Sequence, residues 1–171
     1  MSLEVRVLHD KNWYVQAHHI CEHWAKQYGY TVPQVVAIVA VLSPLQPWHQ
    51  NLQWAKEVLS KERPKCYGLK ANQQKALDIK DGKPINNVVS GEKVKSFYAC
   101  ILRPHCNSVV IDRHMLKLLR VDKSAITKKQ YGFLAEKIAA RAKYWRMTPG
   151  QFQAVLWLWQ RGDLKQMALF E

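Results

Sequence analysis

Hydrophobic residues recur at three- and four-residue steps along most of the chain, which is the spacing of amphipathic helices. The first such stretch runs from about Lys11 to Tyr28, with Asp10 placed to cap its start and Gly29 to stop it. The apolar stripe predicted for this helix comprises Trp13, Ala17, Ile20 and Trp24. We therefore expect an α-helix that packs this stripe against a core.

The same reasoning predicts helices along the rest of the chain. The segment opened by Thr31 and Pro33 is apolar on nearly every side, which is typical of the buried centre of a bundle. The other predicted helices cover residues 48–60, 71–79, 92–102, 113–119, 128–145 and 149–161. The polar region 61–84 is expected to pack most loosely, and the run 109–111 to be an extended connector. Because strand signals are few, the sequence predicts an all-α fold.

No internal repeat, low-complexity segment or Gly/Ser linker interrupts the pattern, so we expect a single domain over residues 1–171, built as two helical lobes. No apolar run reaches the ~18 residues that a membrane span needs, and no secretory signal pattern opens the chain. These features predict a monomer without a membrane partner, located in the cytoplasm or at the nucleoid.

The cysteines have neither the spacing of a zinc site nor that of a disulfide framework. They are Cys21, Cys66, Cys100 and Cys106. Reduced thiols are therefore expected in the cytosol.

The chain carries a large positive charge, with 26 Lys and Arg against 13 Asp and Glu and a formal net charge of +13. Such a charge concentrates polyanions around the protein, and a nucleic acid is the obvious polyanion. A solvated basic surface without a specific partner is the alternative.

One region carries a recognisable motif. The segment 90–102 precedes an apolar run that ends in Ile111-Asp112-Arg113-His114-Met115-Leu116-Lys117, which fits the pattern [VI]-D-x-H-x-x-[RK]. Together they resemble the helix-hairpin-helix region and catalytic-aspartate helix of the HhH-GPD DNA glycosylase superfamily. Segments before and after extend the resemblance to roughly residues 32–163. It implies a helical bundle with a central helix-hairpin-helix.

The resemblance also implies an enzyme of base-excision repair that acts on double-stranded DNA. The enzyme would be an N-glycosylase, which is a hydrolase, and lyase activity is a second possibility. Asp112 would be the catalytic carboxylate, stabilising positive charge that develops on the sugar. Lys95 is the better match to the family's nucleophile and Lys93 the second, and either lysine could instead touch a phosphate. Asp112 has the alternative role of a simple helix N-cap.

Contacts to DNA are implied for the hairpin, the turn before residue 48 and the start of the aspartate helix. These residues are Gly91, Lys93, Lys95, Gln46, Trp48, Arg113 and His114. Gln46 and Trp48 are the candidates for a wedge that fills the place of a flipped base. Stacking surfaces for that base are offered by Trp13, Trp145, Trp157 and Trp159, although most tryptophans at helical spacing belong to a core.

Two departures from the family pattern change the expectations. Segment 89–93 keeps one glycine where the family hairpin has two, which puts the phosphate-binding turn in doubt. The four-cysteine iron–sulfur loop of some members is absent, so we predict neither a metal nor a cofactor.

Three alternatives stay open. His19, Glu22 and His23 spell H-x-x-E-H, an inverted zinc-peptidase motif, but no acidic residue stands in a pattern that would supply a third ligand, so surface histidines are the preferred interpretation. A relative encoded by a bacterial virus would act on hypermodified thymine in DNA, in the cytoplasm of its host. A module that has lost catalysis would bind DNA alone and tolerate replacement of Asp112.

Overall fold

The computed structural model describes residues 11–61, 69–123 and 125–161, and over these ranges the chain is helical without a β-strand. The helices are α1 Trp13–Tyr28, α2 Val32–Leu42, α3 Trp48–Ser60, α4 Lys70–Lys80, α5 Ile85–Val88, α6 Glu92–Leu102, α7 Arg113–Leu118, α8 Lys128–Tyr144 and α9 Pro149–Gln160. The prediction of an all-α fold is confirmed for the described residues. The short helix α5 was not predicted, because four residues are too few to show a period.

Helix α1 differs from its prediction at its start and in its buried face. Its N-cap is Asn12, which makes no side-chain cap bond, while Asp10 lies outside the described residues. The residues that it buries are Tyr14, Ala17, Cys21 and Ala25. The predicted stripe was therefore displaced by about one residue. Small side chains on this face let neighbouring helices approach closely, whereas the bulky Trp13 and Trp24 are only partly buried.

Helix α2 is the centre of the larger core, as its composition predicted. Its residues 35–42 are all buried, and Thr31 caps its start in a reciprocal pair of bonds with Gln34. Helix α4 lies in the region expected to pack loosely, yet Ala76 and Ile79 are fully buried. That expectation was wrong for α4, since Ile79 is among the largest fully buried side chains of the described residues.

The buried side chains form two main hydrophobic clusters. One is built mainly from α1–α4 and α6, and the other from α7–α9. The extended connector 109–111 lies between them: Val110 packs into the first cluster, while Val109 and Ile111 pack into the second. Successive residues of an extended chain point to opposite sides, so this connector joins both clusters.

Tyr131 of α8 fixes the connector in place. Its hydroxyl donates to the Val109 carbonyl at 2.8 Å and accepts from the Ile111 amide at 3.0 Å. These bonds satisfy buried backbone groups that no sheet partner satisfies. The connector therefore delivers the next residue, Asp112, to a fixed position. Within the described ranges, no helix has the length and apolar character needed to cross a membrane.

Candidate active site

A large cavity opens where the two clusters meet, with a volume of about 940 Å³. Its lining comes from α1, α3, α6, α7, α8 and α9 and from the segments before α3, α6, α7 and α8. Most of the predicted site residues reach it, namely Gln46, Trp48, Gly91, Lys93, Asp112, Arg113 and His114. Residues distant in sequence thus converge on one concave surface, the usual setting of a ligand site.

Asp112 sits in this cavity with both carboxylate oxygens engaged. Oδ1 accepts from the backbone amides of His114 and Met115, each at 3.0 Å, which caps α7. Oδ2 accepts from Trp157 Nε1 at 2.8 Å. The N-cap role is therefore real, and it fixes the carboxylate in orientation while leaving it partly exposed to the cavity.

Of the two candidate lysines, Lys93 reaches the cavity. It is partly buried on the first turn of α6, whereas Lys95 is exposed and is not among the lining residues. Gly91 takes φ +80 as the N-cap of α6, so the chain turns sharply just before this lysine. Two positions along a helix rotate a side chain by about 200°, which explains why Lys95 points elsewhere. The structure thus places Lys93, and not Lys95, on the cavity, and the sequence-based preference for Lys95 stays a prediction.

Burial and two neighbouring charges set the pKa of the Lys93 amine. Burial lowers the pKa of its ammonium group below the usual range, and the positive charge of Arg113 lowers it further. The Asp112 carboxylate acts in the opposite direction and raises that pKa. Asp112 and Arg113 therefore act on the pKa of Lys93 in opposite directions.

Aromatic rings from four helices form part of the cavity wall. Trp13 is their centre, with ring centroids 4.8 Å from Trp48 and 6.0 Å from both Phe97 and Trp157. Trp157 also carries the hydrogen bond to Asp112, so it joins the aromatic wall to the carboxylate. Trp145 and Trp159, the other predicted stacking residues, are outside the lining and pack beside Val155.

Buried amides add polar groups to the lining. Gln153 is 2% exposed, and its Oε1 accepts from the Tyr14 hydroxyl at 2.7 Å. Asn51 is 1% exposed and donates from Nδ2 to the Val39 carbonyl at 3.1 Å, near the end of α2. Such residues are held in place by packing and can present fixed donors and acceptors to a ligand.

The turn before α3 presents an exposed apolar side chain at the cavity. Leu45 is 68% exposed, lines the cavity and takes φ +64, a conformation that costs energy for a residue with a Cβ. Trp48, by contrast, is partly buried in the aromatic wall, and Gln46 is partly buried beside the turn. The sequence did not indicate Leu45 as a site residue, because neither exposure nor backbone strain produces a periodic pattern in a sequence.

Charged side chains surround the same opening. Arg161 lies over the Trp157 ring at 4.5 Å, and Lys128 approaches Glu92 at 4.0 Å. His114 stands edge-on to Trp157 with centroids 6.3 Å apart, and Arg113 is exposed beside it. The cavity therefore combines an aromatic wall with a basic entrance.

The histidines of α1 lie apart from this cavity. Nδ1 of His18 lies 2.9 Å from the Ile101 carbonyl and its Nε2 lies 3.5 Å from Glu22, so His18 belongs to the fold and not to a solvated face. His19 and His23 are exposed. In the ranges that the structure covers, no three His, Cys, Asp or Glu side chains are grouped to hold a metal.

Several contacts between lining residues could not have been found from the sequence. Tyr14 and Gln153 are bonded across 139 positions, and Asp112 and Trp157 across 45. A polar residue inside an apolar helix, such as Gln153 in α9, is the one local signal that pointed toward them.

The comparisons with known proteins identify a family without assigning it an activity. The model of DUF7178, described as a family of unknown function, matches residues 4–164. The chain therefore belongs to this family. Neither the curated proteins nor the solved structures contain a match.

Proposed function

We propose that this member of the DUF7178 family binds duplex DNA and removes a flipped base as an N-glycosylase of the HhH-GPD type. The observation that carries the proposal is that the Asp112 carboxylate and the Lys93 amine line one aromatic cavity with a basic entrance. Asp112 is the catalytic carboxylate in this proposal and Lys93 its basic neighbour. The HhH-GPD assignment itself rests on the motif at Ile111–Lys117.

The reaction needs a carboxylate that is fixed before the base leaves. Breaking the glycosidic bond develops positive charge on the sugar, and a preoriented negative charge stabilises that state without having to reorganise. The bonds that Asp112 accepts from two backbone amides and Trp157 provide this orientation. These bonds also occupy lone pairs on both carboxylate oxygens, so fewer remain to accept a proton. This favours electrostatic stabilisation over proton abstraction as the main role of Asp112.

Lys93 adds a possible covalent route. Because burial lowers the pKa of Lys93, a larger fraction of its amine is unprotonated and able to attack the sugar carbon. Attack at C1′ displaces the base; the C1′–O4′ bond then opens as the nitrogen loses a proton, which gives a Schiff base. Removal of a C2′ proton expels the 3′-phosphate and cleaves the strand, which is the lyase reaction. Without attack, water completes the hydrolysis.

Base flipping requires a stacking surface and a filler for the gap in the duplex. The wall around Trp13 supplies the stacking surface, since stacking on aromatic rings is worth about 1–3 kcal/mol per base. Leu45 is the better candidate for the filler, because apolar side chains serve as wedges between base steps and this one is exposed. Gln46 stands beside it as a polar partner.

A second reaction at the same site is favoured by the cavity's size. A volume of about 940 Å³ lies near the upper end of the range of roughly 300–1,000 Å³ for small-molecule sites. It offers room for a base with an extended substituent, as in hypermodified thymine. The enzyme would then replace an activated group on the base and leave the glycosidic bond intact.

The test compares wild type with Asp112→Asn on duplexes that carry uracil, oxidised purines, alkylated bases, abasic sites or 5-modified pyrimidines. Base release is measured by chromatography and strand breaks by gel electrophoresis. The matched control is Asp122→Asn, an exposed aspartate that does not line the cavity. Release by wild type and by the control, but not by Asp112→Asn, is the expected result.

Other outcomes would point to other functions. A change in nucleoside mass without base release would favour the thymine-modifying reaction. Equal, salt-sensitive binding by wild type and Asp112→Asn without product from either would indicate a DNA-binding module. Borohydride trapping of a protein–DNA adduct tests the covalent route: loss in Lys93→Gln but not in Lys95→Gln is expected.

A further inference from the structure

Two cysteines outside the proposed active site lie side by side. Cys100 is in the last turn of α6, and Cys106 is in the turn that follows, where its amide donates to the Arg103 carbonyl at 2.9 Å. The two sulfur atoms are 3.9 Å apart. A disulfide needs about 2.05 Å, so bond formation requires a sulfur displacement of roughly 2 Å. Cys106 is only half-buried in a turn, where such a displacement meets little resistance.

The two thiols differ in reactivity. A hydrogen bond with the Cys100 thiol, bonds with Ser108 and the charge of Arg103 together lower the pKa of Cys106 to about 6, although burial opposes them. The hydrogen bond with Cys106 and burial raise the pKa of Cys100. Because the thiolate is the nucleophilic form, Cys106 is the reactive member at neutral pH and Cys100 the protonated partner.

Cys106 is also accessible to a small oxidant. It lies in a shallow depression lined by residues 103–108. Cys100 is fully buried behind it, with its sulfur 3.3 Å from the Ser108 carbonyl oxygen. A partly exposed reactive thiol with a resolving thiol beside it is the arrangement typical of redox-sensitive cysteines.

We propose that Cys100 and Cys106 form a site of reversible oxidation by hydroperoxides. The Cys106 thiolate attacks the terminal peroxide oxygen, the O–O bond breaks, and the alcohol or water leaves with a proton. The resulting sulfenic acid is then attacked by the sulfur of Cys100, which forms the disulfide and releases water. Overall the two thiols lose two electrons and two protons, and the hydroperoxide is reduced.

The disulfide would alter the back of the proposed active site. The Cys100 sulfur neighbours the Tyr14 hydroxyl, which donates to Gln153 in the cavity lining. The pair also lies between α6, which carries Lys93, and the connector that leads to Asp112. Moving the sulfur changes packing around these groups, so we expect oxidised protein to process the base several-fold more slowly. That consequence alone rests on the proposed function.

The experiment treats the reduced full chain, in a Cys66→Ser background, with stoichiometric hydrogen peroxide. Remaining thiols are alkylated with iodoacetamide, and the protein is digested with trypsin. Cleavage after Lys95 and Arg113, but not at Arg103-Pro104, leaves both cysteines in one peptide. The expected product is this peptide without alkylation and lacking two hydrogens, restored to two alkylated thiols by dithiothreitol.

Cys21 provides the matched control, since burial raises the pKa of this thiol to about 12. Cys21→Ser should leave disulfide formation unchanged, whereas Cys106→Ser should abolish it and leave a folded protein.

The pH dependence of alkylation tests the reactivity of Cys106 directly. The alkylation rate of Cys106 should reach its maximum by about pH 7, whereas the rate for an ordinary thiol of pKa about 8.5 continues to rise above that pH.

Two results would overturn the proposal: alkylation of both cysteines after peroxide treatment, or over-oxidation of Cys106 without a disulfide. Neither result depends on enzyme activity. If the disulfide forms but the reduced protein releases no base, the redox site stands and the proposed glycosylase function fails.

Discussion

Trp157 donates its indole Nε1–H to Oδ2 of Asp112 at 2.8 Å, and this bond ties α9 to the start of α7. The other oxygen, Oδ1, is held by two backbone amides of α7. The carboxylate is therefore both a helix cap and the link between two helices. Substitutions of Asp112 and of its partner Trp157 therefore allow the effect on folding stability to be measured separately from the effect on chemistry.

The Asp112–Trp157 pair predicts a specific coupling in stability. In Asp112→Asn, the amide oxygen stays with the backbone amides of α7, so its NH₂ faces the indole donor, and we expect a loss of about 1–3 kcal/mol. Trp157→Phe removes the donor, so the double variant should be less destabilised than the sum of the single variants. Urea unfolding of all four proteins measures the difference, about 0.5–3 kcal/mol. Simple additivity would contradict the contact.

Lys93 predicts a pH dependence of stability. Because burial lowers its folded pKa, the unfolded chain binds this proton more tightly, and stability rises with pH between the lowered pKa and about 10.4. The free energy of unfolding of wild type should therefore increase relative to that of Lys93→Met across this window. Lys95→Met, at an exposed position, should follow wild type at every pH. Parallel curves for wild type and Lys93→Met would contradict the burial effect.

Leu45 predicts a separation of stability from function. Glycine adopts φ +64 without the strain that leucine bears, so Leu45→Gly should keep or raise stability, by up to about 1 kcal/mol. Loss of the exposed side chain should nevertheless reduce base flipping by about tenfold or more, if it fills the gap. Fluorescence of 2-aminopurine in the duplex reports the flipping. Leu69→Ala, another exposed leucine that does not line the cavity, is the control.

The basic entrance predicts a strong salt dependence of DNA binding. Each phosphate contact contributes about −0.9 to the slope of log K against log salt. Arg113→Gln should reduce the steepness by about one contact, because Arg113 is exposed at the cavity. Lys137→Gln should leave the slope unchanged, since Lys137 lies over Phe133 on α8 and is not a lining residue. A flat salt response of the wild type would reject the DNA partner.

The sequence by itself determined the longer helices and the cap at Asp112. Helix periods, caps and stop residues are local, so each is legible within a few positions, as in α9, where Thr148 caps the start and Pro149 follows. Even for α1, the sequence placed the buried face only to within about one residue. The packing of the neighbouring helices decides which side chains of α1 are buried.

Only the tertiary structure decided which side chains share the cavity. Lys93 and Lys95 differ by two positions and are chemically equivalent in sequence, yet packing buries one and exposes the other. Likewise, Tyr14 meets Gln153 and Trp157 meets Asp112 only because several helices pack around the connector. Such contacts depend on the relative orientation of helices, which arises from the summed packing of both hydrophobic clusters and from no local pattern.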